Sequence, residues 1–275
     1  MRATPGRDPT RRRDTIVAVT LSRGTADIAS RADWPPGRVL VVAATYQERA
    51  NIEPLIDRVL DATPDLQLLI VDDDSPDGTA AAALERCARD PRLHVLVRRG
   101  RRGLGGAILE GFDLARRHGF EVAVNIDADL SHDPEDIPRL LAALDPAGGR
   151  PAAVAIGSRR VPGGRIVGWP PSRHVVSRLV GWFTRFVVGV PVRDASSGFR
   201  AVRLDAFAGA PGPYATGYTF LEEMLWRMHR AGGRLVEVPI TFTNRERGSS
   251  KAGLRESLVG GWRLLRLAAA ARLGR

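Results

Sequence analysis

Cysteine, lysine and long apolar runs are scarce or missing in this sequence of 275 residues. The single cysteine, Cys87, cannot form an internal disulfide, and no spacing of Cys and His is typical of a zinc site. No stretch approaches the roughly 18 to 20 apolar residues of a membrane span. Arg11, Arg12 and Arg13 are not followed by an apolar core long enough for a signal peptide. We therefore expect a cytoplasmic, reducing setting and only peripheral contact with membranes.

Lysine occurs once, as Lys251, among 41 basic residues, and with 31 acidic residues the net charge is +10. This surplus favours an anionic partner, which is a nucleic acid, a membrane surface or a phosphorylated substrate. A compact ammonium group differs from a planar guanidinium, so the lone lysine is a candidate functional residue. The hydrophobic content of 44% is sufficient for a sizeable core.

The chain divides into three segments by composition. Residues 1–37 are rich in Pro, Gly, Arg and Asp, which predicts a basic extension that is mostly disordered apart from a candidate strand at 15–21. Residues 38–250 are predicted to form the main domain. Residues 251–275 are predicted to form an amphipathic C-terminal helix.

Apolar runs alternate with helical patterns in the main domain. The predicted strands are 39–44, 66–71, 93–97, 122–126 and 152–157, and the predicted helices are 48–60, 80–88, 103–117 and 134–144. This alternation predicts an α/β fold with a mostly parallel central sheet covered on both faces. Ligands of such sheets bind beyond the carboxyl ends of the strands.

Three polar motifs follow predicted strands and should therefore meet at one edge of the sheet. They are Thr45 to Glu48, Asp72-Asp73 and Asp127-Ala128-Asp129. The third motif is the most informative, because two carboxylates at a strand end suit a hard divalent cation that keeps substrate phosphates as further ligands. The sequence therefore predicts phosphate chemistry on a nucleotide-bound substrate.

Two further segments, 175–188 and 254–273, have the pattern of basic amphipathic helices. Their apolar stripes are Val176, Leu179, Phe183 and Phe186 in the first, and Leu254, Leu258, Trp262, Leu265 and Ala269 in the second. Such helices suggest contact with an anionic membrane surface. The alternative is that both stripes pack on the core of the domain.

Together the motifs resemble those of family-2 glycosyltransferases of the GT-A fold, and specifically the polyprenol-phosphate (dolichol-phosphate) mannosyltransferases. The resemblance covers roughly residues 38–253. Besides the strand-end motifs, the matching residues are Gly103-Leu104-Gly105, Leu130-Ser131-His132, Gly157-Ser158-Arg159, Asp194 to Arg200, Gly217-Tyr218 and Arg245 to Lys251. The implied reaction transfers mannose from GDP-mannose to a polyprenyl monophosphate with inversion. Its product, polyprenyl-phosphate mannose, would serve extracytoplasmic glycosylation or cell-wall glycan assembly.

The resemblance also implies a site for the sugar nucleotide. Its expected residues are Ala44, Tyr46, Glu48, Val71, Asp72, Asp73, Asp127, Ala128, Asp129, Arg245, Arg247 and Lys251. Asp127 and Asp129 would bind Mg²⁺ or Mn²⁺, with Ser131 near the metal and His132 in a structural role. One of Asp72 and Asp73 would contact the nucleobase. Ala44 and Gln47 depart from the family, which usually has Pro and often Asn at these positions.

For the acceptor phosphate the resemblance implies Arg159, Arg173 and Ser177, and guanidinium forks do fit phosphate oxygens. Asp129, Arg159 and Lys251 are the candidate catalytic residues. Glu223 is expected to orient the sugar, to brace the loop from Arg245 to Lys251, or to form a structural ion pair.

Two other functions stay open at the level of sequence. One is a glucosyl or other hexosyl transferase that uses a UDP-sugar and the same lipid phosphate; the Arg245 to Lys251 loop and the lack of C-terminal membrane spans favour mannosyl transfer over it. The other is a basic nucleic-acid-binding module, which the aromatic content of 6% and the lack of a helix-turn-helix or RNA-binding signature disfavour. The expected partners are GDP-mannose and polyprenyl phosphate in an anionic membrane at its cytoplasmic face, with no nucleic acid. A separate membrane-anchoring protein stays open as an additional partner.

Overall fold

The structure is a computed structural model. It describes residues 16–20, 26–31, 34, 37–212, 214–215, 217, 219–245 and 254–272.

The described residues form strands and helices that alternate from residue 39 onward. The strands are β1 (Ile16–Thr20), β2 (Ala26–Arg31), β3 (Val39–Thr45), β4 (Leu66–Asp72), β5 (Leu93–Arg98), β6 (Val122–Asp127), β7 (Val154–Ser158), β8 (Arg165–Val167), β9 (Arg200–Arg203), β10 (Leu235–Pro239) and β11 (Thr241–Thr243). The helices are α1 (Ile52–Ala62), α2 (Thr79–Cys87), α3 (Leu104–Arg117), α4 (Ile137–Leu144), α5 (Pro171–Phe183), α6 (Leu204–Ala208), α7 (Phe220–Arg230) and α8 (Leu254–Arg272). A 3₁₀ turn, Pro134–Asp136, precedes α4, and a π-helical turn, Thr184–Val188, extends α5.

The strands form one large sheet in the order β1-β2-β5-β4-β3-β6-β9-β7-β10, and β8 pairs separately with β11. Strands β5, β4, β3 and β6 are parallel to one another, as are β7 and β10. Strand β9 runs antiparallel between β6 and β7. This mostly parallel sheet with flanking helices confirms the predicted α/β class.

Both faces of the sheet are covered by helices. In β3, Leu40 packs in one apolar cluster with Phe112 of α3, and Val41 packs in the other with Ile56 of α1. Neighbouring side chains of the strand thus alternate between two buried layers. Burial on both faces explains why β3 reads as an uninterrupted apolar run. Because β3 is buried along its length, the polar turn that follows it lies at the edge of the sheet.

The N-terminal segment contains more regular structure than its composition suggests. Strand β1 agrees with the candidate strand at 15–21, and β2 joins the sheet by pairing antiparallel with β5. Strand β1 was expected, whereas β2 was not predicted and lies within the segment expected to be mostly disordered. The physical reason is that β5 would otherwise be a sheet edge with unpaired backbone groups, which β2 satisfies.

Helix α1 begins at Ile52 rather than at the predicted residue 48. Gln47 has φ of +57°, a left-handed conformation that interrupts any helix at this point. The N–H groups of Asn51 and Ile52 each donate to the Glu48 carbonyl at 2.9 Å. Glu48 consequently lies in the turn that follows β3, beside the edge of the sheet.

Most of the described side chains in the apolar stripes of α5 and α8 are exposed, although Phe183 packs partly against the core. Seven large side chains are 56 to 65% exposed: Val175, Val176, Leu179, Trp182, Phe186, Trp262 and Leu265. We call these seven residues the outer apolar patch. Helix α8 contacts the π-helical turn after α5, so the elements that carry the patch lie next to each other. Among the described helices, none has the length and apolarity needed to cross a membrane.

Candidate active site

The turns after β3, β4 and β6 share an unusual backbone conformation. Gln47, Asp74 and Leu130 have φ values of +57°, +56° and +60°, and no other non-glycine in the described part of the chain has a positive φ. Each such residue costs about 1 to 3 kcal/mol, and this kind of strain concentrates at functional sites. Gln47 stands where the resembling family often has Asn, a residue that tolerates this conformation better.

Asp72 ties the turns after β3 and β4 together. Its fully buried carboxylate accepts from Thr45 Oγ1 at 2.8 Å, from the Ser75 N–H at 2.8 Å and from Ser75 Oγ at 2.6 Å. Ser75 Oγ accepts in turn from the Gln47 N–H at 2.9 Å. These contacts give Asp72 a positioning role. Val71 is also fully buried, so only its backbone is available to a ligand.

Asp73 links the end of β4 to the start of α3. Its oxygens accept from Arg98 Nη1 and from the Gly103 N–H, both at 2.8 Å. Burial raises the pKa of Asp73, against the opposing effects of the Gly103 N–H and of Arg98. Asp73 keeps a small exposed fraction, whereas Asp72 has none. Asp73 thus joins the turn after β4 to the glycine-rich start of α3.

Tyr46 and Glu48 lie in the turn after β3, next to the partly exposed Ala44. The Arg102 guanidinium lies 4.5 Å from the centre of the Tyr46 ring, a distance typical of a cation–π contact. Glu48 Oε2 accepts from Asn51 Nδ2 at 2.7 Å. The turn thus presents an aromatic ring and a carboxylate at the sheet edge, which suits a base and its N–H groups.

Asp127 is fixed from two sides at the end of β6. His132 Nε2 lies 3.1 Å from Asp127 Oδ2, and the His132 ring packs against Phe199 and Phe242. A Cβ on Gly198 would lie 2.5 Å from Asp127 Oδ1, so a larger residue here would displace the carboxylate. Burial alone would raise the pKa of Asp127, but His132 and nearby arginines outweigh it and lower the pKa. The side chain remains 34% exposed and ionised.

Asp129, two residues later, accepts from Arg245 Nη2 at 2.8 Å and from the Ser131 N–H at 3.1 Å. The Ser131 hydroxyl is buried and has no hydrogen-bond partner among the described residues. Ala128, between the two aspartates, is buried in the core.

These oxygens fit a divalent cation. Asp127 and Asp129 project from one strand end, Asp129 already accepts a cationic guanidinium, and the Ser131 hydroxyl lies in the same loop. Within the described ranges, no three or more His, Cys, Asp or Glu side chains group as a complete metal site. A cation here would therefore take further ligands from substrate phosphate and water, as Mg²⁺ usually does.

Arg159 is held by Asp194. Arg159 Nε donates to Asp194 Oδ2 at 2.7 Å and Nη2 donates to Oδ1 at 2.6 Å, and both side chains are nearly fully buried. Burial would raise the pKa of Asp194, but the hydrogen bonds and charge of Arg159 lower it. The sequence indicated both segments but not their pairing, because the two residues are 35 positions apart.

Arg173 and Ser177 lie one helical turn apart on α5. Arg173 lies 4.2 Å from the centre of the Trp169 ring, and Arg159 lies 5.2 Å from the same ring. Burial and the charges of Arg245 and Arg159 lower the pKa of Arg173. Ser177 Oγ and Trp169 Nε1 are buried without a hydrogen-bond partner in the part of the chain described. Two guanidinium groups beside the unsatisfied donors of Ser177 and Trp169 favour an anion, and phosphate matches guanidinium geometry.

Sequence reasoning missed Trp169. Its signal was nevertheless present, since a tryptophan between two arginines of the predicted phosphate site is well suited to stacking on guanidinium groups.

A cavity of about 860 Å³ is lined by Asp129 of the carboxylate pair, whereas Asp127 is not among its lining residues. Asp129, Ser131 and Arg245 line one side, and Asn51 and Arg58 line the side formed by α1. Its volume lies in the range of small-molecule sites.

Comparison with known proteins establishes the family. The sequence profile described as glycosyl transferase family 2 matches residues 40–209. The chain belongs to glycosyl transferase family 2. It is therefore an enzyme, and the family expected from its motifs is confirmed.

Relatives of this glycosyltransferase include two bacterial enzymes. Identity is 44% over 230 residues with the polyprenol monophosphomannose synthase of Mycolicibacterium smegmatis, covering 82% of this chain and 85% of the relative. It is 44% over 216 residues with the undecaprenyl-phosphate mannosyltransferase of Micrococcus luteus, covering 78% and 87%. The solved structure of Mycobacterium tuberculosis glucosyl-3-phosphoglycerate synthase with Mn²⁺, UDP and glucosyl-3-phosphoglycerate is similar in fold. Its TM-score is 0.63 at 20% identity, covering 86% of this chain and 80% of that one.

Of the remaining expected residues of the glycosyltransferase, the structure describes Glu223 but not Arg247 or Lys251. Glu223 Oε1 accepts from Arg227 Nε at 2.9 Å and Nη2 at 2.8 Å, and Oε2 accepts from the Ala215 N–H at 2.8 Å. These contacts favour the structural ion pair among the roles left open for Glu223. Arg247 and Lys251 lie outside the described residues, and their predicted roles stay predictions.

Proposed function

We propose that this glycosyltransferase transfers mannose from GDP-mannose to a polyprenyl monophosphate. Both relatives at 44% identity are named for mannose transfer to a polyprenyl-type phosphate. The observation that carries the proposal is the set of contacts around Arg173, which shares the Trp169 ring with Arg159 and donates from Nη1 to Asn244 Oδ1 at 3.2 Å. Asn244 directly precedes Arg245, which pairs with Asp129 at 2.8 Å. Acidic ligands for a metal-bound diphosphate and basic ligands for a second phosphate therefore lie side by side.

The sugar nucleotide lies across the ends of β3, β4 and β6 in this proposal. Tyr46 stacks on the base, and Glu48 and Asp73 accept from base or ribose donors. Asp127 and Asp129 hold a divalent cation, Mg²⁺ or Mn²⁺, which when bound neutralises charge on the departing diphosphate.

Basic side chains near the carboxylate pair complete the donor site in this proposal. Arg245, with Arg247 and Lys251, contacts the donor phosphates. Ala44, Val71 and Ala128 contribute backbone.

The acceptor phosphate is itself the nucleophile. A phosphate monoester has a second pKa near 6, so it is largely dianionic at neutral pH without a strong general base. One phosphate oxygen bonds to the anomeric carbon as the bond from that carbon to GDP breaks, which inverts the centre. Arg159, Arg173 and Ser177 hold the other phosphate oxygens. The enzyme contributes positioning and electrostatic stabilisation.

The outer apolar patch docks the enzyme on an anionic bilayer, at the cytoplasmic face where sugar nucleotides are available. Arg178 and Arg185 lie on the same helical segment as the patch, and Arg266 lies 4.9 Å from the Trp262 ring centre. Apolar burial and attraction of arginines to anionic lipids are additive contributions to such binding. Helix α5 also carries Arg173 and Ser177, so docking would bring the acceptor contacts to the lipid headgroups.

The test is a transfer assay with the full chain. Purified protein is incubated with Mg²⁺, polyprenyl phosphate in vesicles, and either radiolabelled GDP-mannose or radiolabelled UDP-glucose. We expect mannose to reach the lipid and Asp129→Asn to reduce transfer to background. If only glucose from UDP-glucose reaches the lipid, the donor is UDP-glucose and not GDP-mannose. Transfer of neither sugar would reject the proposal.

A further inference from the structure

The contacts of Arg159 indicate a positioning role for Asp194, a residue that received no role from the sequence motifs. We propose that Asp194 sets the orientation of the Arg159 guanidinium toward the acceptor phosphate. This inference rests on the proposed function, because that function assigns Arg159 to the phosphate.

Asp194 occupies one whole edge of the guanidinium. The bidentate pair uses Nε and Nη2 at 2.7 and 2.6 Å, and Ser196 Oγ also accepts from Nη2 at 3.1 Å. Because guanidinium is planar and has five N–H donors in a fixed fork, fixing one edge fixes the direction of the other. The donors on Nη1 are thereby directed away from Asp194. They are the ones available to a second anion.

Aromatic rings restrict the same group further. The central carbon of the guanidinium lies 5.2 Å from the ring centres of both Trp169 and Phe242. Trp169 also contacts Arg173, so the orientation of Arg159 is defined relative to the second arginine of the phosphate site.

Asp194 is itself anchored from the sheet. Glu237 on β10 accepts from the Asp194 N–H at 3.0 Å and from the Arg193 N–H at 2.8 Å. Asp194 also accepts from the Arg159 N–H at 2.9 Å. A buried carboxylate with this many donors remains ionised, and its low pKa agrees with that.

The loop that carries Asp194 has an independent anchor. Arg200 on β9 donates to the Ser197 carbonyl at 2.6 Å and also to the carbonyls of Ala195 and Leu221. The path of residues 194–198 therefore does not depend on the side chain of Asp194 alone. This separation predicts that its carboxylate acts mainly on Arg159, which is what distinguishes a positioning residue from a purely structural ion pair.

The test is a double-mutant cycle. Asp194→Asn is expected to lower the kcat of mannose transfer at least tenfold, while Mn²⁺-dependent binding of GDP changes less than twofold. In an Arg159→Gln background, Asp194→Asn is expected to change kcat less than twofold, since the group that it positions is already gone. Asp194→Glu should restore part of the activity.

The matched control is Asp145→Asn. Asp145 likewise pairs with arginine, in its case Arg38 and Arg203 at the opposite end of the strands, and its replacement should leave kcat unchanged.

The inference is overturned if Asp194→Asn leaves transfer unchanged, or if its effect multiplies fully with that of Arg159→Gln. If Asp194→Asn abolishes GDP binding, the cycle is repeated with Glu237→Gln in place of Asp194→Asn, because this variant weakens the anchor of Asp194 and retains the Asp194 carboxylate. Multiplicative effects there would also overturn the inference. A wild-type protein that transfers no mannose to polyprenyl phosphate would instead show that the proposed function has failed, and the inference would fall with it.

Discussion

Arg245 Nη2 lies 2.8 Å from Asp129 Oδ2, and Nη1 of the same guanidinium lies 3.9 Å from Glu48 Oε1. One arginine thus connects the turn after β3 to the carboxylate pair after β6. A guanidinium bound to Asp129 and a divalent cation compete for the same oxygens. The proposed metal site therefore has an internal competitor that must move when a metal-bound diphosphate arrives.

Arg245→Gln is expected to raise the affinity for Mn²⁺ added without nucleotide by about tenfold, equivalent to about 1.4 kcal/mol. The same variant should lower turnover, because the arginine is also proposed to meet the donor phosphates. Electron paramagnetic resonance of free Mn²⁺ measures the affinity. Arg139→Gln is the matched control, since Arg139 lines the same cavity but pairs with Asp136. Weaker Mn²⁺ binding by Arg245→Gln would contradict the competition.

Gly198→Ala tests the close packing around Asp127. A Cβ at this position would lie 2.5 Å from Asp127 Oδ1, closer than any tolerated contact. The carboxylate must shift, so we expect turnover to fall at least tenfold and Mn²⁺-dependent GDP binding to weaken. Steady-state kinetics and calorimetry measure the two effects. Gly261→Ala is the control, because nothing lies within 4 Å of a Cβ there. Equal activity of the two variants would exclude a tight requirement at Gly198.

The sequence predicted the strands that consist of apolar runs and missed strands that lack such a run. Strands such as β3 and β6 are buried on both faces, so they appear as apolar runs whatever their partners are. Strand β9, with the sequence RAVR, has no such run; its insertion antiparallel to β6 depends on pairing that periodicity does not reveal. β2 was missed for the same reason.

The candidate site was predictable where residues adjoin in sequence and not where they meet through the fold. Asp127 and Asp129 are near neighbours, so their position after a strand was sufficient. The pairing of Arg159 with Asp194 connects separate loops. For α5, the sequence predicted an apolar stripe but not the direction it faces, and the structure shows that Leu179 and Trp182 face outward.

Leu179→Ser combined with Trp182→Ser should reduce flotation with anionic vesicles at least tenfold, because both side chains are more than half exposed and available to insert. GDP binding with Mn²⁺ should not change. If the double variant floats as well as the wild type, the outer apolar patch is not the docking surface.

Charge on the same helix is tested separately. Arg178→Gln combined with Arg185→Gln should weaken binding to anionic vesicles by about 2 kcal/mol, since each arginine near such a surface contributes about 1 kcal/mol. Binding to uncharged vesicles should be unaffected. The matched control is Arg89→Gln with Arg117→Gln. Both arginines are exposed; Arg89 follows α2 and Arg117 ends α3. An equal loss in the control pair would indicate a general effect of net charge.

Acid stability depends on His94, which is buried against Trp34 at a ring separation of 3.6 Å. Burial, with a contribution from His118, lowers the pKa of His94 to about 3. Because this folded-state value lies below the ordinary value of 6.5, the unfolded chain binds more protons between these limits. The stability from neutral His94 is complete above pH 6.5 and is lost as the pH falls.

Between pH 6.5 and 5, the free energy of unfolding should therefore fall less steeply in His94→Gln than in the wild type. The two slopes should differ by up to about 1.4 kcal/mol per pH unit. Urea denaturation at several pH values measures the slope. His229→Gln, at an exposed position, should leave the slope unchanged. A slope in His94→Gln identical to that of the wild type would show that His94 is not the group responsible.

The most direct measurement is anomalous diffraction from crystals grown with Mn²⁺ and GDP. We predict an anomalous peak within about 2.3 Å of carboxylate oxygens from both Asp127 and Asp129, in contact with the diphosphate. A manganese ion bound elsewhere, with both carboxylates directed away from the nucleotide, would contradict the proposed site.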